Sequence, residues 1–158
     1  MNRIEINWRE RLKGEPEPGI HFHGYVWVGQ GGHLDSIKTQ AQRTAGTEEF
    51  PASDLPPEAV HHYLLKRRQL AGTWAEAKPA AEWMREQWDA HTPTVTHVAP
   101  DNTQQFHEVT LSIGKSTVWS WWFPEPGSTT KVHVTVAVCR PVWPQFDAVR
   151  TPCPQPPE

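Results

Sequence analysis

Trp119-Ser-Trp-Trp-Phe123 is an aromatic run that restricts the fold more than any other part of this sequence. In an extended strand, Trp119, Trp121 and Phe123 share one face, while Val118, Ser120 and Trp122 share the other. A strand that is apolar on both faces has to be covered on both, which demands a layered structure around a sheet. Helices can cover one side. The other needs an internal cover or an interface, and Trp is enriched at binding hot spots. The aromatic residues also resolve an apparent shortage of core. Leu, Ile, Val and Phe together number only 30 of 158 residues, but nine Trp outnumber the seven Leu. Each buried Trp removes on the order of 200 Å² from water. With a net charge of only −3, the signature of a disordered chain is absent. The length suits one domain.

Alternation is the clearest local signal elsewhere. Over residues 20–28, Ile20, Phe22, Val26 and Val28 face one way and His21, His23, Tyr25 and Trp27 the other, which is the period of a strand. Residues 3–8 alternate too, and with 20–28 they predict an N-terminal hairpin across the Pro/Gly turn region at 13–19. Period two returns from residue 94, predicting strands over 94–99, 106–113, 117–123 and 131–139. Between these regions the spacing is helical. Leu34, Ile37, Ala41 and Ala45 predict one helix, stopped by Gly46. Pro56-Pro57 opens a second, with Val60, Leu64 and Ala71 inward and Gly72 at its end. Thr73-Trp-Ala-Glu76 matches a capping box for a third, whose stripe is Ala80, Trp83, Met84, Gln87 and Trp88. Pro79 either kinks that helix or resets its start. The expected fold class is α+β. A curved antiparallel sheet, made of the N-terminal hairpin and a C-terminal four-strand meander, packs against two or three central helices.

Residues 1–140 are expected to form that single domain, and 141–158 a Pro-rich tail. The tail holds six prolines with Trp143 and Phe146 among them, a composition that favours extended conformations. The two aromatic residues are expected to pin it onto the domain or onto a partner. Cys139 ends a Val-rich strand and reads as a buried small hydrophobe, and Cys153 lies in the tail. No stretch approaches the roughly 20 apolar residues of a membrane-spanning helix. The first ten residues lack an apolar signal region. The expectation is a soluble cytoplasmic protein without a membrane role.

Nine His are the best chemical lead. His21 and His23 project from one strand face two residues apart, so both imidazoles can reach one metal ion. His133, flanked by Val132 and Val134, also points away from the most apolar face, and is the expected third ligand. His97 and His107 fall on other predicted strands, and Glu108 could supply a carboxylate. A divalent cation such as Zn, Fe or Mn is the implied cofactor.

His21-Phe-His23, followed by Gly-Tyr-Val-Trp-Val28, resembles the His-hydrophobic-His strand of HUH-type nicking enzymes, and Val60-His-His-Tyr63-Leu-Leu-Lys66 resembles their Tyr-x-x-Lys segment. The resemblance implies that His21 and His23 hold a metal and that Tyr63 attacks a DNA phosphate. It also implies phosphate contact by Lys66, with Arg67 and Arg68 adding charge. Near-neutral balance, 15 basic against 18 acidic residues, does not favour nucleic acid as the main partner.

The leading functional expectation is an interaction or structural protein, binding a protein partner or itself, with Trp119, Trp121, Trp122, Trp143 and Phe146 as the interface. A small metal enzyme with a His-lined site, or a nicking enzyme of the HUH kind, is the alternative.

Overall fold

The two most regular alternating segments become the two central strands of the computed structural model, which describes residues 6–96, 98–141 and 151–155. Strands β1 (His21–Gln30) and β4 (Thr130–Cys139) pair antiparallel over their full lengths, from His21 opposite Cys139 to Gln30 opposite Thr130. Strand β2 (Leu70–Trp74) pairs with the other edge of β1, and β3 (Thr117–Trp122) with the other edge of β4. The result is a four-stranded, open antiparallel sheet in the order β2-β1-β4-β3, with helices packed on it. The fold is α+β.

One face of the sheet carries the main core. Val132, Val134, Val136 and Val138 line it from β4, Phe22 from β1, and Trp119 and Trp121 from β3. Helix α3 (Ala77–Ala90) covers this face with Ala80, Ala81, Met84 and Trp88; of the stripe expected from the spacing, Ala80, Met84 and Trp88 are buried, and Trp83 and Gln87 are half-buried. Trp88 sits against Trp119 and Trp121, with ring centroids 5.3 and 4.9 Å away. The Trp121 indole N–H donates to the His91 carbonyl at 2.8 Å, so burying it leaves no orphaned donor. Helix α4 (Pro100–Ser112) lies beside α3 and adds Leu111 to this core. Helix α1 (Trp8–Leu12) packs on α4 through Trp8, whose ring meets Phe106 edge-on and whose N–H donates to the Asn102 carbonyl.

The opposite face is covered from within the chain near the middle of β1 and the end of β4. Tyr25, Ala137 and Cys139 pack there against Tyr63 and Leu64 of a 3₁₀ segment (Val60–Leu65). Tyr63 stacks on Tyr25, with ring centroids 4.4 Å apart and planes 14° from parallel.

Two glycines make room for tryptophan on the helix-facing side. Gly24 and Gly72 are directly opposed on β1 and β2, and the Trp74 ring lies over both. A Cβ on Gly24 would come within 2.8 Å of both Trp74 and Trp83. Any larger residue would push these rings off the sheet backbone.

Several segments differ from their sequence reading, and each for a physical reason. Of the segment 3–8, residues 3–5 lie outside the described residues, and 6–8 form no strand; Trp8 starts a helix, capped by the Asn7 side chain accepting from the Glu10 amide. The partners of β1 are therefore β2 and β4, not an N-terminal strand. Residues 106–113 belong to helix α4, whose Pro100 occupies the first turn where a missing N–H is harmless. Residues 94–96, 98 and 99 form no strand. The predicted meander of four strands is thus reduced to the β3–β4 pair. The segment 56–71 is not one helix either. It breaks into 3₁₀ turns and then turns extended at Leu70 to pair with β1. Thr73 and Trp74 are in β2, so Thr73 caps nothing, and α3 starts after Glu76 with Pro79 inside its first turn. The helix expected over 34–45 survives as short turns and the four-residue α2 (Gln40–Arg43). Among the described residues, no helix is long and apolar enough to cross a membrane.

Candidate metal centre

The pairing of β1 with β4 creates the densest chemical cluster among the described residues. Register places His21 directly opposite Cys139, and His23 two residues on projects from the same face. Cys153, from the tail, reaches this point of the sheet. One ligand atom from each of His21, His23, Cys139 and Cys153 lies within 4.8 Å of all the others. The two imidazole Nε2 atoms are 2.9 Å apart, and Cys153 Sγ is 3.0 Å from His21 Nε2 and 3.4 Å from His23 Nε2. A tetrahedron with Zn–N near 2.0 Å and Zn–S near 2.3 Å has edges of roughly 3.3–3.8 Å. The three contacts among His21, His23 and Cys153 would open by up to about half an ångström to admit the ion.

The surroundings favour the ligating forms of the His residues. His23 is fully buried. Its Nδ1 lies 3.0 Å from the hydroxyl of Thr73, its register partner on β2. With Nδ1–H donating to Thr73 Oγ1, the lone pair sits on Nε2 and faces the cluster. Burial, aided by neighbouring His21, lowers the His23 pKa to about 4, and burial also lowers that of His21. Both rings are held neutral. Burial, with the neighbouring Cys153 thiol, pushes Cys139 up to about 12. Without a cation that thiol keeps its proton; a bound dication would supply the compensating charge and displace it.

His21 and His23 were identified from strand period alone. Cys139 and Cys153 were not, because the first reads as a core hydrophobe and the second lies in a tail. Their convergence on the His pair depends on the β1–β4 register and on the return of the tail, which no local pattern reveals. His133 shares the face of His21 and His23 but is not in the cluster. It pairs with Trp27 and Ser120, six residues along β4 from Cys139, or roughly 20 Å of strand. It contacts the Thr135 hydroxyl at 3.3 Å instead.

The other candidates separate cleanly. Tyr63 is 1% exposed, and its hydroxyl is buried without a hydrogen-bond partner among the described residues. Burial raises the pKa of that phenol. Lys66 is also buried: its ammonium donates to the carbonyls of Phe50 and Ser53 and lies 3.9 Å over the Phe50 ring. It ties a loop together rather than presenting charge. Arg68 donates to the Pro51 carbonyl, and Arg67 and Arg68 are exposed. Trp119 and Trp121 belong to the core, whereas Trp122 is 41% exposed, with the Lys131 ammonium 4.8 Å from its ring. Trp143, Phe146 and His97 lie outside the described residues.

Comparison with known proteins adds nothing to this geometry. No family model, curated protein or solved structure matches the chain.

A buried imidazole away from the cluster gives a pH prediction. His107 of α4 is 2% exposed, its Nδ1 lies 2.6 Å from the Thr117 hydroxyl, and its ring stacks on Trp119. Burial lowers its pKa from 6.5 to about 4. Because the folded value lies below the unfolded one, the unfolded chain takes up the proton first as pH falls. The contribution of neutral His107 is complete above pH 6.5 and is lost progressively toward pH 4. By linkage it amounts to about 3 kcal/mol. Urea unfolding at pH 7, 5.5 and 4 should therefore show a steep loss that His107→Gln makes shallower. Equal slopes for both proteins would rule this out. His23 and His133, also lowered to about 4, contribute in the same direction, so the difference between the two proteins is the quantity to read.

Proposed function

We propose that this chain is a metal-binding structural or interaction domain, in which one zinc-type dication held by His21, His23, Cys139 and Cys153 fastens the tail to the sheet. The observation that carries this reading is the convergence of two imidazoles and two thiols, from four positions spread over 133 residues of sequence numbering, within 4.8 Å. Mixed N₂S₂ donors suit zinc better than the harder divalent ions.

The donor set also bears on the choice between structure and catalysis. Four protein ligands fill a tetrahedral shell, whereas catalytic zinc keeps one position for water or substrate. A structural centre is therefore favoured over a metal enzyme. The nicking reading is disfavoured by the burial of Tyr63 and Lys66, which leaves neither side chain open to a DNA phosphate. Trp122 on one face of the sheet, and Val26 and Val28 on the other, are exposed apolar side chains that support an interaction role.

Elemental analysis of protein purified without chelators or metal-affinity tags tests the reading. The expected result is one zinc per chain, lost in His23→Ala and Cys139→Ala. A preparation without any stoichiometric transition metal, and unable to take up zinc or cobalt, would dismiss it.

A further inference from the structure

We propose that the centre is oxidant-sensitive: oxidation joins Cys139 to Cys153 and releases the metal, while the tail stays attached to the sheet. This rests on the metal-binding reading above and concerns how that same site is regulated. Three observations carry it. The chain has only these two cysteines, so one intramolecular disulfide is available. The two sulfurs lie within 4.8 Å, close enough to bond after a small movement of the tail, and neither is in a disulfide. Their exposure differs: Cys153 is open to solvent, whereas Cys139 is 2% exposed.

That asymmetry assigns the order of events with hydrogen peroxide as the oxidant. The Cys153 thiolate attacks one peroxide oxygen, the O–O bond breaks, and the departing hydroxide is protonated to water. Cys153 is then a sulfenic acid. The Cys139 thiolate attacks its sulfur, forming the S–S bond and expelling a second hydroxide, which is also protonated to water. Two thiolates have lost two electrons, and one peroxide and two protons have become two waters. Both sulfur ligands are consumed. His21 and His23 alone leave the cation with two protein ligands, and it dissociates.

The arrangement exchanges one tether for another. In the reduced state the ion links tail to sheet, and in the oxidised state a covalent bond does so. What changes is the metal: free zinc appears in solution, and two imidazoles are left without it. A reductant regenerates the thiols and restores binding when zinc is supplied.

The test uses the full metal-loaded chain, with metal content measured first. Peroxide is added in steps while released zinc is read with a chromophoric chelator, free thiols are counted, and intact mass is recorded. The expected result is one zinc released as two thiols disappear, with a mass decrease of about 2 Da. Dithiothreitol with added zinc should reverse all three. Cys153→Ser, which retains three ligands, should lose metal to peroxide roughly tenfold more slowly or worse. Should that variant fold poorly, the mass and thiol readings on the unaltered chain still decide the matter. Retention of zinc after both thiols are oxidised, a mass gain from added oxygen, or linkage between chains would each overturn the proposal. A chain without metal before peroxide is added would instead sink the metal-binding reading, and this proposal with it.

Discussion

Stripping the proposed zinc ion with a chelator is expected to lower the thermal unfolding midpoint by roughly 8–16 °C. A ligand present at about a thousand times its dissociation constant stabilises the folded state by about 4 kcal/mol. For a chain of this size each kcal/mol corresponds to about 2–4 °C. The effect arises because the unfolded chain has no preformed site: two ligands are near residue 22 and two are more than a hundred residues later. The controls follow from the geometry. His23→Ala and Cys139→Ala should unfold at the same temperature with and without chelator. His133→Ala should keep the full chelator response, since His133 sits with Trp27 and Ser120 rather than in the cluster. Calorimetry at matched protein concentration measures all four proteins. A chelator response unchanged in His23→Ala would show that the ion binds elsewhere.

The second large effect is expected at Trp88. Its ring packs against both Trp119 and Trp121, which also touch each other, and it is 7% exposed. Trp88→Ala removes the contact between α3 and β3 and leaves a cavity that rigid strands cannot close. The expected loss is about 3–5 kcal/mol, within the range for truncating a large buried aromatic residue. Trp88→Phe should lose less than half of that, because part of the stacked surface survives. Equilibrium urea unfolding gives both values. A change below about 1 kcal/mol for Trp88→Ala would show that the helix contributes little to the sheet's burial.

The face assignment of β1, with His21, His23, Tyr25 and Trp27 together, follows directly from period two, and so does the split of the aromatic strand at Trp119–Trp122. The stripe on α3 was equally legible. In contrast, Val109, Leu111 and Ile113 alternate like a strand although they end a helix. The deciding signal was Pro100 at that helix's start, six residues before the apolar pattern begins. Residues 56–71 carried helix-like spacing, but the polar backbone at Leu70–Trp74 finds better partners on the open edge of β1. The site followed the same division. Its His pair is a local pattern and could be read. Its Cys pair depends on a register between distant strands and on where a tail returns, neither of which is encoded in any short window.

The sheet order has a consequence for the order in which this molecule can be made. β1 is synthesised well before its longest partner, β4, which follows about a hundred residues later. At the usual pace of translation, about 5–20 residues per second, β1 waits several seconds on the ribosome with only β2 at one edge. Its other edge, flanked by Phe22 and Tyr25, stays open until Thr130–Cys139 emerges. Nascent chains stalled before residue 130 should accordingly be sticky and bound by chaperones, while those stalled well beyond Cys139 should not.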